Sequence, residues 1–107
     1  MEEVRTQRFS AKDQFNSATA LPLKSAVGET LNITAVWVCD RPDLDGNLQT
    51  VATLKTDDGK LYGTISDTVV RSVLALPEML LTEESIAIKP EYRSGTNGRE
   101  YLIISLV

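Results

Sequence analysis

Tyr62 follows Lys60 by two residues, Tyr92 directly precedes Arg93, and Tyr101 follows Arg99 by two. An aromatic face can stack on a planar ring while a neighbouring cation holds an anionic group, so this pairing suits bases and phosphates. On that reading Tyr62, Tyr92 and Tyr101 stack, Lys55, Arg93 and Arg99 hold phosphates, and Arg41 closes over the ligand from the first long loop. The same three tyrosines fit equally well as half-buried strand residues, which β-propensity alone would place there. Trp37 lies on an apolar strand face and reads first as core, second as a further stacking platform. Phe9 and Phe15 read as anchors for the N-terminal segment.

Other chemistries lack their tools. Histidine is absent, which removes the usual general base and the commonest zinc ligand. A serine nucleophile would need Lys or a carboxylate to activate it, and no such constellation stands out, so an enzyme is not expected. No phosphate-loop, dinucleotide or zinc-ribbon spacing occurs, so neither cofactor nor metal is expected. Asp43-Leu44-Asp45-Gly46-Asn47 is faintly like a calcium loop, but the required glycine would fall at Leu48 and the closing glutamate at Leu54. These acids, like Asp57 and Asp58, read as turn formers. Cys39, the single cysteine, reads as a small buried hydrophobe in a reducing compartment.

The 107 residues suit one domain with a modest core. A hydrophobic share of 42% argues against disorder throughout. The net charge of -4 builds in no bulk attraction to nucleic acid or to an anionic membrane. Charge is uneven, however: residues 1–28 and 86–107 each carry +1, while residues 29–85 carry ten acids against four bases. Screening beyond roughly 8–10 Å leaves room for a local basic groove. Met1-Glu2-Glu3-Val4-Arg5 has no apolar run, which predicts no signal peptide and a cytoplasmic protein. No stretch is long and apolar enough to predict a membrane span.

The elements that must position these residues follow from pattern. Residues 1–28 form a polar arm with a short helical or irregular piece, broken at Pro22. Thr30–Asp40 is a β-branched strand, with Leu31, Ile33, Ala35, Trp37 and Cys39 on its expected core face. Leu48–Thr56 and Leu61–Ile65 make a hairpin around Asp57-Asp58-Gly59-Lys60. A helix of about ten residues is capped by Ser66 or Asp67 and ends before Pro77, set by the apolar stripe Val69, Val70, Val73, Leu74 and Leu76. Glu78–Glu84 is a linker with Met79, Leu80 and Leu81 tucked against the strands. Ser85–Arg93 and Arg99–Val107 form the last hairpin, edge-like or bulged at Pro90. Five strands with one helix between the third and fourth predict a mostly-β domain: an OB-type Greek-key barrel over 29–107, with 1–28 as its arm. An SH3-like barrel is the structural rival.

Phe15-Asn16, then Leu23-Lys24-Ser25-Ala26-Val27-Gly28 and Leu31-Asn32-Ile33, resemble the N-terminal region of small phage-encoded single-stranded DNA-binding proteins. So do Asp58 to Ser66 running into Val69-Val70-Arg71-Ser72-Val73, and the Gly98-Arg99-Glu100-Tyr101 hairpin. The resemblance implies an OB fold, sequence-tolerant binding of single-stranded DNA, and a place in phage DNA replication or recombination within the host cytoplasm. It maps binding roles onto Tyr62, Arg93, Arg99 and Tyr101. Many such proteins end in an acidic tail that recruits partners; this sequence ends in Ile103-Ile104-Ser105-Leu106-Val107, a departure from that pattern. Self-association and contact with replication proteins stay open. The alternative class is a protein-binding module or inhibitor on the same barrel, which the acidic balance suits.

Overall fold

A computed structural model describes residues 2–107. In chain order the elements are β1 (Glu2–Gln7), α1 (Ala11–Asn16), β2 (Leu21–Pro22), β3 (Leu31–Pro42), β4 (Leu48–Thr56), β5 (Leu61–Thr64), α2 (Asp67–Val73), α3 (Leu76–Met79), β6 (Ile86–Ser94) and β7 (Glu100–Leu106). A 3₁₀ turn over Ser17–Thr19 extends α1, and another spans Leu23–Ala26. The strands form one curled, open sheet in the order β2-β5-β4-β3-β6-β7, with β1 added to β3.

β3 is the spine. β4 runs antiparallel along one edge; the other edge is shared between β6, paired at Leu31–Ile33, and β1, paired at Val36–Asp40. The change of partner coincides with a register shift between Ile33 and Ala35. An extra residue in one strand reverses which face the following side chains occupy. Leu31 and Ile33 therefore enter the main core, as do Val36 and Val38 beyond the shift. Ala35, Trp37 and Cys39 turn to the opposite face, where Phe9 covers them and Leu61 packs alongside. The sequence pattern had these five odd-numbered residues on one core face; the bulge at Thr34 divides them between two clusters.

Turns obey their local chemistry. Gly59 takes φ +86° in the β4–β5 turn, and Thr56 and Lys60 close it through the Thr56 N–H and the Lys60 carbonyl at 2.9 Å. In the β3–β4 loop Asp43 Oδ1 accepts from the amides of Asp45 and Asn47, at 2.9 and 3.0 Å, as a turn-forming carboxylate does. Pro90 sits in β6 just past Ile88, where β6 has left β3 and keeps only β7 as a strand neighbour, so its missing donor disrupts no ladder.

Two expectations need correction. Seven strands are present among the described residues rather than five, because the N-terminal arm supplies β1 and β2 to the sheet. The sheet also does not close: β5 and β7 do not pair. The outer edge of β5 is taken by β2, parallel through Leu21–Tyr62 and Pro22–Gly63, and α2 packs against β7. The expected ten-residue helix is the shorter α2, burying Val69, Val70 and Val73. Its valines weaken continuation, and Pro77 lies in the first turn of a separate helix, α3, where a missing N–H costs nothing. Leu80 is fully buried as expected, whereas Leu81 is exposed.

The small second cluster should carry measurable stability. Replacing Trp37 by Ala should cost about 3–5 kcal/mol in urea unfolding, through lost burial and the lost contact with Phe9. An unchanged midpoint would show that this layer does not hold the arm.

Candidate functional site

The arm is fastened to the sheet at successive points. After β1, Arg8 takes φ +59°, a conformation non-glycine residues seldom use. Its guanidinium donates to the carbonyls of Glu84, at 3.0 Å, and Leu80. The turn delivers the Phe9 ring onto Trp37, with centroids 5.6 Å apart. Ser10 then caps α1 reciprocally with Asp13: Asp13 N–H donates to Ser10 Oγ and Ser10 N–H to Asp13 Oδ2, both at 3.1 Å. Lys55 of β4 reaches Asp13 Oδ1 at 3.0 Å and Oδ2 at 3.1 Å.

Beyond α1 the arm forms one side of a groove of about 570 Å³. Ser17, Ala18, Ala20, Pro22, Leu23 and Lys24 come from the arm. Arg41 and Val51 come from β3 and β4, Gly63 to Ser66 from β5 and the α2 approach, and Tyr92 and Leu102 from the last hairpin. The lining contains Lys24 and Arg41 but no carboxylate, in a chain whose net charge is -4. Tyr92 is 47% exposed and Ile65 58%, so the groove offers apolar surface to a planar ligand. Ser17 is occupied internally, donating to the Gln14 carbonyl at 2.6 Å.

The residues expected from sequence divide sharply. Arg41 and Tyr92 are brought together in the groove. Arg93 and Tyr101 face each other across β6 and β7, exposed, with Arg99 just before β7; the Tyr101 ring lies against Gly95. Arg93 and Tyr101 are the register pair next to the groove-lining pair Tyr92 and Leu102, so strand alternation turns them to the other face of the hairpin, and neither they nor Arg99 line the groove. Tyr62 and Trp37 are corrections: at 7% and 4% exposure neither presents a free ring face. Tyr62 points into the main core because it pairs with Leu54, whose side chain faces inward. Lys55, expected to hold phosphate, is paired with Asp13 and lies outside the groove lining. Phe15, expected to anchor the arm, is 84% exposed; the helix instead turns Asp13 and Ser17, four residues apart, toward the protein.

Lys24 and Ile65 were not legible as site residues. Lys24 stands in a locally unremarkable stretch, and only the β2–β5 pairing carries it to the groove. No helix among the described residues is long and apolar enough to cross a membrane. Comparison with protein-family models, with curated proteins and with solved structures returns no match for this chain.

Asp13 sets an acid sensitivity. Burial alone would raise its pKa, but hydrogen bonds from Lys55 and Ser10, with the Lys55 charge, outweigh it and hold the carboxyl below its ordinary 3.8. A depressed carboxylate contributes stability that is present above the unfolded value and is lost as pH falls through the folded one. Urea midpoints measured below pH 4 should therefore fall more steeply for the native chain than for Asp13→Asn, which should start lower at pH 7. Parallel pH curves would contradict this role.

Proposed function

We propose that this protein binds single-stranded DNA in the groove between the N-terminal arm and the last hairpin. Tyr92 stacks on a base, and Arg41 and Lys24 hold the flanking phosphates. Arg93 and Tyr101, on the other face of the hairpin, contribute only where the strand wraps round it. The observation that carries this reading is the groove lining itself: two cations and an exposed ring with no acid among them, in an acidic chain. Cations beside ring faces serve single strands of any sequence, because every base has a π-face. The strand order β5-β4-β3-β6-β7, with helix between β5 and β6, supports an OB-type arrangement in open form. The resemblance to phage single-strand binders adds a setting, replication or recombination of phage DNA in the host cytoplasm.

A protein-binding role is favoured by a different observation. Leu44 and Leu48 protrude at the β3–β4 hairpin, fully and 69% exposed respectively, beside Asp43 and Asp45. Apolar tips rimmed by acid suit a partner with a basic, apolar recess. Capture of a host protein that survives nuclease treatment and is abolished by Leu44→Ser would favour that reading over the first.

Fluorescence anisotropy with an oligothymidine across salt concentrations tests the DNA reading. Tyr92→Ala should weaken binding by about 1–3 kcal/mol. Arg41→Gln should reduce the magnitude of the log–log salt slope by about 0.7, the loss of one phosphate contact. No binding at low salt, or equal preference for duplex, would refute the proposal.

A further inference from the structure

The arm side of the groove is only as well placed as the helix that precedes it. Ser17, Ala18, Ala20, Pro22 and Lys24 all follow α1, and α1 has just six residues, too few to persist without tertiary support. Its strongest polar tether is Asp13, whose side chain is about 10% exposed and lies 3.0 Å from Lys55 Nζ. The coupling onward is short. Ser17 N–H donates to the Asp13 carbonyl, and the 3₁₀ turn follows α1 with no intervening loop. A displacement of Asp13 is therefore passed directly to Ser17 and Ala18, which line the groove.

Lys55 itself stands elsewhere. It pairs in register with Ala35 and Leu61, on the face carrying the Phe9–Trp37 cluster, and is not part of the groove lining. We infer that Lys55 is a positioning residue: through Asp13 it fixes the arm that carries Lys24 into the groove, and it does not hold a phosphate. This inference rests on the groove being the strand-binding site. It gives a different sign from direct contact. Neutralising Asp13 would release Lys55 as an extra free cation, which strengthens binding if Lys55 touches phosphate and weakens it if Lys55 acts through the arm.

Asp13→Asn is the decisive variant, because the amide oxygen can still accept from Ser10 N–H while the charge is lost. Binding of a fluorescent oligothymidine to the full chain should weaken roughly three- to tenfold, equivalent to one displaced contact. The magnitude of the salt slope should fall by about 0.7, because the contact displaced is the Lys24 phosphate, and it should fall no further when Asp13→Asn is added to Lys24→Gln. Lys55→Gln should behave the same way, and Lys55→Arg should retain native affinity. Amide exchange over residues 14–24 should quicken in Asp13→Asn while β4 stays protected. Tighter or unchanged binding by Asp13→Asn, a further slope loss of about 0.7 when Lys55→Gln is added to Lys24→Gln, or unaltered exchange in the arm would each overturn the inference. Native protein that fails to bind the oligothymidine would instead defeat the function proposed above, and this inference with it.

Discussion

A single extra residue in β3 decides the layering of this molecule. Without the register shift at Thr34, Trp37 and Cys39 would follow Ile33 into the main core, and Val36 and Val38 would face the arm. With it, one long strand serves two apolar clusters: its first half and its even-numbered second half line the core, while Ala35, Trp37 and Cys39 form a landing for Phe9. The shift also lies where β3 exchanges β6 for β1 along one edge. Bulges bend a strand and sharpen its twist, which suits a sheet that curls without closing.

The arm then becomes part of the groove. It contributes two strands, covers the second cluster, and ends as one side of the groove. Its attachment combines an aromatic contact, a reciprocal helix cap and an ion pair of which one partner is nearly buried. A surface ion pair alone would add little; here the carboxylate is held by the helix cap as well, so the pair acts within a small network. The electrostatic outcome is local. Acids concentrate in the turns and after α2, while the groove keeps Lys24 and Arg41 without an opposing carboxylate.

Much of the fold was readable from residue pattern. The β4 bounds, both hairpins, the apolar stripe of α2 and the edge-like place of Pro90 follow from period, turn residues and the missing proline donor. Alternation also marked β3, but a bulge leaves no reliable mark in sequence, so the assignment of its faces failed at Thr34. The arm was misread for a related reason: β1 and β2 are too short or too polar to announce themselves, and exist through pairing with β3 and β5. At the candidate site, Arg41 and Tyr92 were legible as a cation and a ring near loops. Tyr62 was not separable from them, since adjacent strand residues differ only in which way they point. Lys55 was read as a free cation because its partner, Asp13, lies forty-two residues away.

The central claim is spatial: a single strand occupies the groove. Titrating isotope-labelled protein with a short oligothymidine and following backbone amide shifts locates the contact directly. The account predicts the largest changes at residues 17–24, 41, 63–66 and 92, with a lesser trail along the β6–β7 hairpin. Changes confined to the β3–β4 loop or to the face behind Trp37, or none at saturating oligonucleotide, would contradict it.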